Sequence, residues 1–201
     1  MKKVLALLLA VFICDSTMAQ VEAPKEVSAQ ENLLRYNSVG VSYSKTTYKG
    51  SSADLTGIGL SFSKDLSPSA FFIGGYADSS QAVTNAKIGI GSIGLGFHTP
   101  ISANVDAVIS AELASGSVKV GAASASVNGN AISLNLRGMV TPKIEAGLSG
   151  TYVSVTSGSV TTTDTQTAAS IGFNLSSSVQ IGAGVNFKSD QTMVLGVKLF
   201  F

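Results

Sequence analysis

The sequence predicts an all-β chain that closes as an antiparallel up-and-down transmembrane barrel of about ten strands, with eight as the alternative. Three observations lead to this fold class. Apolar residues alternate with small polar ones along most of the chain, only 12% of the residues are charged, and the chain ends on an alternating apolar stretch with a terminal phenylalanine. Alternation is typical of strands with one apolar face. A soluble domain carries about 25% charged residues, so much of this surface is expected to meet something other than water.

Composition excludes several classes of protein. The 201 residues carry a formal net charge of +1, whereas a nucleic-acid-binding protein needs a basic excess. A single cysteine excludes a disulfide scaffold. A mean hydropathy of +0.36 excludes disorder. After the N-terminus, no run approaches the ~20 apolar residues of a membrane helix, and the length fits one domain.

The N-terminus has the layout of an export signal. Lys2 and Lys3 precede the apolar stretch Val4–Ile13, and the segment ends in Thr17-Met18-Ala19. This layout predicts a secretory signal peptide over residues 1–19. Residues 20–35 then form a periplasmic N-terminal segment, which is either a flexible tail or a plug that enters the barrel. Residues 36–201 form the barrel.

Ten segments show strand periodicity, and most, counted with the residues that flank their alternating cores, are about ten residues long, as a tilted strand that crosses a bilayer needs ~9–11 residues. The third is a nearly continuous apolar run, and the fourth changes its alternation between Ile90 and Ile93, which predicts a bulge. An even number suits a bacterial barrel. The segments are Val39–Tyr43, Ile58–Phe62, Ala70–Tyr76, Ala86–Phe97, Val105–Leu113, Ile132–Leu136, Ile144–Leu148, Ala169–Leu175, Val179–Phe187 and Met193–Phe201.

The connections alternate between short turns and longer loops, as in outer-membrane barrels. The predicted turns are Asp65–Ser69, Thr99–Asn104, Val140–Pro142 and Ser176–Ser178. The predicted loops are Thr46–Ala53, Ala77–Asn85, Gly116–Gly129 and Ser154–Thr165, with a short fifth, Lys188–Asp190. The hairpin-type pair Asn128-Gly129 leaves open a β-extension in the third loop. Closure is expected because lipid cannot pair with free strand edges.

The apolar face is expected to meet lipid, and the opposite face to line the lumen. A secreted soluble β-protein is the alternative, but the solvent-exposed face of such a protein would usually carry lysine and glutamate. The expected lumen set consists of small residues, which leave space in a barrel of this width. These are Ser38, Gly40, Ser42, Gly57, Gly59, Ser61, Gly147, Ser149, Ser170, Gly172, Gly182 and Gly184.

Six charged residues are expected to point inward: Asp106, Glu112, Arg137, Glu145, Lys188 and Lys198. A three-residue turn at Val140–Pro142 would place Arg137 directly across from Glu145, with Asp106 diagonal to Arg137. Buried charges need partners, so the sequence predicts a lumen charge cluster around the Arg137–Glu145 pair. The cluster is either a structural bridge near the periplasmic end or a constriction that selects solutes.

Residues suited to catalysis are scarce, so no catalytic residue, metal site or cofactor is expected. His98 is the single histidine and is expected to be structural or solvated at a periplasmic turn. The carboxylates of Asp54, Asp78, Asp164 and Asp190 are scattered along the chain. The glycines of Gly89–Gly94 superficially match a dinucleotide-binding fingerprint, but no helix follows them.

The segments "VGVSYSK", "GIGLSFSKDLSPSAFFIGGYADSS" and "GLGFHTPIS" resemble small Gram-negative outer-membrane β-barrels of the opacity/porin-like type. The ending "MVLGVKLFF" resembles their C-terminal β-signal. The resemblance implies a place in the outer membrane, among lipid and lipopolysaccharide. It also implies that the barrel-assembly machinery reads Phe201, with Leu199, Val197 and Leu195 behind it. Many small members have eight strands and a bulky, charged interior, unlike the lumen expected here.

Two functions remain in competition. The first is a narrow porin-like channel for passive diffusion of small solutes, which the small lumen residues favour. The second is a non-conducting structural or surface-interaction barrel that acts through its extracellular loops. Few aromatic or arginine anchors occur in those loops, which argues against tight protein binding. An enzyme is the least expected class, and the sequence leaves the solute and the oligomeric state open.

Overall fold

The structure is a computed structural model that describes residues 34–48, 54–187 and 191–201. The predicted signal peptide over residues 1–19, residues 20–33 of the predicted N-terminal segment, and Lys188 and Asp190 lie outside the described residues. The described part contains ten strands: β1 Ser38–Thr47, β2 Asp54–Ser67, β3 Ala70–Gln81, β4 Ala86–Ser102, β5 Val105–Val120, β6 Ala123–Thr141, β7 Ile144–Ser157, β8 Val160–Asn174, β9 Val179–Asn186 and β10 Gln191–Phe200.

The ten strands form a closed antiparallel barrel in which each strand pairs with its neighbours in sequence. The seam joins β1 to β10, and Ser38 lies opposite Phe200. Closure leaves no unpaired strand edge, which is the condition that lipid imposes. The ten-stranded form of the predicted fold class is therefore confirmed. Within the described ranges, no helix is both long and apolar enough to cross a membrane.

The barrel end that holds Leu34 and Phe201 is called the periplasmic end here, and the opposite end is called extracellular. Three periplasmic connections are two-residue turns: Pro68-Ser69, Ala103-Asn104 and Pro142-Lys143. The fourth runs between Asn174 and Val179. These turns occur where the sequence predicted short connections. The first two lie within longer predicted ranges, the third is displaced by one residue to include Lys143, and the fourth begins one residue earlier, at Leu175.

Two of the predicted extracellular loops are strands in the structure. Residues 116–129 and 154–165 continue β5–β8, and the hairpins close through Gly121-Ala122 and Gly158-Ser159. Both turn glycines have a positive φ, 58° and 60°, which glycine adopts without steric cost. The β-extension is confirmed, although the Asn128-Gly129 pair that suggested it lies within β6 and not at the turn.

Strand β4 shows that the expected bulge between Ile90 and Ile93 was also wrong. The cross-strand register is continuous through this stretch, and an irregularity occurs only at Pro100–Ser102. The apolar residues instead change face. Ile88 and Ile90 point inward and are buried, whereas Ile93 points outward and is 57% exposed. The reason is that the interior itself is apolar near the extracellular end.

The outer wall carries an apolar band. Its members are exposed aliphatic and aromatic residues on every strand, including Ile58, Leu113, Leu134, Leu148 and Leu195. Such a continuous apolar surface is a liability in water and suits lipid. Tyr43, Tyr76 and Tyr152 lie near its extracellular border, and the next outward residues along the strands are polar. The predicted inside-out arrangement is therefore confirmed.

Candidate functional site

The lumen has three levels, which differ in the solvent exposure of their inward-facing residues. In the middle lies a chamber, here called the central chamber, to which each strand contributes one half-buried inward residue. Serine and glycine dominate it, so little side-chain volume fills it. Its members are Ser42, Ser61, Gly75, Gly94, Glu112, Asn135, Gly147, Ser170, Gly182 and Gly196.

Above the chamber, the lumen is filled. At this extracellular level every strand contributes an inward side chain that is at most 4% exposed, so packed atoms leave no water-sized passage beside them. One side is an apolar cluster, and the other is polar, with Thr46 Oγ1 2.9 Å from Thr192 Oγ1. The level is formed by Thr46, Leu55, Ser79, Ile88, Val118, Val127, Val153, Gln166, Asn186 and Thr192.

Below the chamber lies the periplasmic level, which contains the buried charges. Arg137 Nε donates a hydrogen bond to Glu145 Oε1 at 3.0 Å, and Arg137 is only 2% exposed. Gln180 Nε2 donates to Glu145 Oε2 at 3.4 Å. Lys198, also buried, lies opposite Gln180 in the register. The level thus pairs opposite charges inside the wall, as burial requires.

Tyr36, which precedes β1, closes this level from the periplasmic side. Its hydroxyl donates to Asp106 Oδ2 at 2.9 Å. Its ring stacks on His98, with centroids 3.9 Å apart, and on Phe71, at 4.6 Å. The Arg137 guanidinium carbon lies 4.8 Å from the ring centroid, within cation–π range. Leu34 packs in the same cluster, so the end of the N-terminal segment sits inside the periplasmic mouth.

The predicted lumen charges divide into two groups. Asp106, Arg137, Glu145 and Lys198 lie together in the periplasmic level. Glu112 is separate: it lies in the central chamber and accepts a hydrogen bond from Ser92 Oγ at 3.1 Å. Lys188 lies outside the described residues. Their role in solute selection stays a prediction.

The register differs from the predicted one. Arg137 lies opposite Gly147, and Glu145 lies opposite Met139, so the two charged residues are diagonal rather than directly across. Asp106, expected to be diagonal, lies directly opposite Arg137. The cause is the β6–β7 turn, which has two residues rather than three and is preceded by an irregularity at Met139–Thr141. The long arginine side chain spans the offset.

Sequence reasoning did not identify Tyr36, and it placed His98 at a solvated turn or in a structural role. The His98 side chain is 8% exposed, with Nδ1 3.3 Å from Asp106 Oδ2. Its position in the alternation of β4, in step with Ser92, Gly94 and Gly96, was a signal that it points inward. No comparable signal marks Tyr36, because it lies before the first strand. Among the described residues, no cluster of three or more metal-ligating side chains occurs.

Comparisons with known proteins identify the fold. No protein-family model matches the sequence, and no curated protein matches it. The β domain of the Bordetella autotransporter BrkA is similar in structure, with a TM-score of 0.58 and 11% identity over 82% of this chain and 99% of that chain. The NanC porin has a TM-score of 0.48 and 8% sequence identity, over 80% of this chain and 100% of that chain. Neisserial surface protein A has a TM-score of 0.44 and 16% sequence identity, over 83% of this chain and 96% of that chain. The chain has the fold of an outer-membrane β-barrel.

Proposed function

We propose that this outer-membrane barrel is a narrow porin-like channel for the passive diffusion of small solutes. The observation that carries the proposal is the central chamber, where each strand presents a half-buried serine, glycine or other polar residue to the lumen. A barrel built only for stability would be packed to the density of a protein interior at every level. Here the packing is interrupted at mid-height, where water has room beside polar groups.

Passage through the lumen requires the periplasmic level to open. The charges of Arg137, Glu145, Asp106 and Lys198 form a charged constriction, of the kind that selects solutes in other pores. Tyr36 is the group best placed to move, because it precedes β1 and takes no part in the strand pairing, although its carbonyl accepts a hydrogen bond from Ser63 Oγ at 2.8 Å. Its withdrawal would uncover Asp106 and the charged pair.

The extracellular level is the second barrier. Ile88, Val153 and Val155 are 0% exposed and face the lumen, so they form an apolar constriction. Apolar constrictions gate by excluding water rather than by charge. The channel is thus closed at two levels in this conformation, and each level has its own means of opening.

Planar-bilayer recordings test the proposal. The chain lacking residues 1–19, refolded in detergent and inserted into a bilayer, is expected to give small, discrete conductance steps. A matched sample of Tyr36→Ala is expected to open more often. If neither protein gives steps above the lipid baseline, the channel proposal fails.

A second function has one observation in its favour: the two closed levels suit a non-conducting barrel that acts through its shape and its extracellular surface. The same recordings separate the two functions. A barrel of this second kind stays silent even when the Tyr36 ring and the apolar constriction are both removed.

Export and assembly form the last part of the proposal. Residues 1–19 act as a cleaved signal peptide, and the barrel-assembly machinery reads the C-terminal strand. Support for the second role is that Leu195, Val197, Leu199 and Phe201 all point outward at the seam, accessible to a partner. Deletion of Phe201 is expected to lower the folded yield in cells while leaving refolding in detergent unchanged. A Phe187→Ala variant, also exposed but outside the C-terminal strand, serves as the control.

A further inference from the structure

Two lysines face each other on the outer wall near the extracellular end. Lys87 of β4 lies directly opposite Lys119 of β5 in the register, and both side chains are exposed. Side chains in this relation have Cβ atoms about 4.5–5.5 Å apart, and like charges placed so are destabilising. Neither lysine forms an ion pair with a residue in the described part of the chain. Two adjacent positive charges therefore lie on the wall without an ion-pair partner among the described residues.

Hydroxyl groups flank this pair in the same cross-strand row. Ser80 lies opposite Lys87 on one side, and Ser124 lies opposite Lys119 on the other. The row thus presents four hydrogen-bond donors in sequence: hydroxyl, ammonium, ammonium, hydroxyl. The nearest carboxylate on the outer face is Asp78, which lies opposite Gly89 and is therefore diagonal to Lys87. One carboxylate cannot neutralise two lysines, so a net positive site remains.

The height of the pair is fixed by Tyr76. The Tyr76 hydroxyl lies over Gly89, since a Cβ added to Gly89 would be 2.9 Å from the hydroxyl oxygen. Tyrosine side chains on a barrel wall mark the interface between lipid and water. Lys87 is two residues farther toward the extracellular end, roughly 5 Å higher for a strand tilted by about 40°. The lysines therefore lie at the height of the lipid headgroups.

We propose that Lys87 and Lys119 bind a phosphate group of the lipid A portion of lipopolysaccharide. The pair lies at the end of the barrel opposite both described termini, which is the outer leaflet in the proposed orientation. Phosphate carries enough negative charge and acceptor oxygens to bridge two ammonium groups. The flanking hydroxyls of Ser80 and Ser124 can donate to the same oxygens. The site lies outside the lumen, so it does not depend on conduction.

Lys45 provides a matched control within the same row. It lies opposite Thr56, and Thr56 lies opposite Ser80, so Lys45 belongs to the same cross-strand row, three strands from Lys87. Its ammonium group is already paired, with Nζ 2.7 Å from Asp54 Oδ2. A single neutralised lysine is not expected to bind phosphate. Loss of Lys45 therefore removes a positive charge from the wall without affecting the proposed site.

The experiment uses the chain lacking residues 1–19, refolded in a neutral detergent. Lipid A bearing two phosphates is titrated into the protein, and the temperature at which the folded, heat-modifiable band disappears is followed. Lipid A is expected to raise this temperature for the wild type and for Lys45→Gln. For the double variant K87Q/K119Q, the apparent affinity is expected to fall about tenfold or more.

A charge-reversal variant keeps the test falsifiable if the double variant folds poorly. Lys119→Glu creates an opposite-charge pair with Lys87, which stabilises the hairpin while removing the positive site. It is expected to fold well and to lose the response to lipid A. The proposal is overturned if either variant keeps the wild-type response. It is equally overturned if dephosphorylated lipid A, or phosphatidylglycerol as a generic anionic lipid, gives the same shift.

Discussion

Arg137 and Glu145 form an ion pair inside the barrel although they are not cross-strand partners. Arg137 Nε lies 3.0 Å from Glu145 Oε1, while the backbone register places Gly147 opposite Arg137. The long arginine side chain reaches diagonally along β7 to Glu145, which lies opposite Met139. The ion pair therefore joins positions that backbone pairing alone would keep apart.

Glu145→Gln is expected to lower the free energy of unfolding by about 3–5 kcal/mol, because it leaves Arg137 as an uncompensated buried charge. The double variant Arg137→Met/Glu145→Leu is expected to recover much of this loss. Urea titration of the folded band in detergent measures both. Lys143→Gln, at an exposed turn, is the control. A loss below about 1 kcal/mol for the single variant would show that the pair contributes as little as a surface bridge.

Tyr36→Phe removes only the hydroxyl that donates to Asp106, which is 0% exposed. We expect it to lower the free energy of unfolding by about 1–3 kcal/mol, the cost of losing one hydrogen bond to a buried carboxylate. Tyr36→Ala also removes the stacking on His98 and Phe71, so it is expected to cost more. Chemical denaturation of the three proteins gives the comparison. Equal losses for the two variants would mean that the ring packing contributes nothing.

Val153→Thr places a hydroxyl in the apolar constriction at nearly constant volume. Because the group has no partner there, we expect a loss of about 1–3 kcal/mol in stability and a higher conductance as water enters. Ile88→Val keeps the constriction apolar and is expected to remain closed at a cost of about 0.5–1.5 kcal/mol. Conductance and urea unfolding are measured on both. A Val153→Thr barrel that stays as closed as Ile88→Val would exclude gating by water exclusion.

Gly96→Ala is expected to destabilise the barrel by about 1–3 kcal/mol through overpacking. A Cβ at this position would collide with the Phe71 ring, which is held in place by Tyr36. Gly150→Ala is the matched control, since a Cβ there meets no atom within 4 Å. The folded fraction after refolding measures the difference. Similar behaviour of the two variants would show that Phe71 can move aside freely.

The parts of the fold that lipid dictates were predictable from the sequence. One face of each strand must be apolar over the bilayer, so Val105–Leu113 and Ile144–Leu148 reveal both the strands and their orientation. Beyond the bilayer this constraint ends. There the outward residues are serine and threonine, such as Thr161 and Thr163, and their sequence resembles a loop. Inward valines such as Val127 and Val155 were the remaining sign that the wall continues.

The candidate site was predictable only in part. The charges of Asp106, Arg137 and Glu145 stand out in a lumen of small residues, so their grouping follows from the cost of burying charge. Their register depends on whether one turn holds two or three residues, and that cannot be read from Val140–Pro142 alone. The separation of the lumen into levels depends on residues from all ten strands at once, which a pattern along one strand does not contain.

The seam between Ser38 and Phe200 has a consequence for how the barrel can form. The two residues lie at opposite ends of the ten-strand sequence, so their pairing closes the longest loop of the barrel and is expected late in folding. A polypeptide that stops before β10 keeps two unpaired edges, and no lipid group can satisfy them. Chains that end before β10 are therefore expected to be unstable in the membrane. Closure at the seam thus makes the stability of every other strand depend on the presence of the last one.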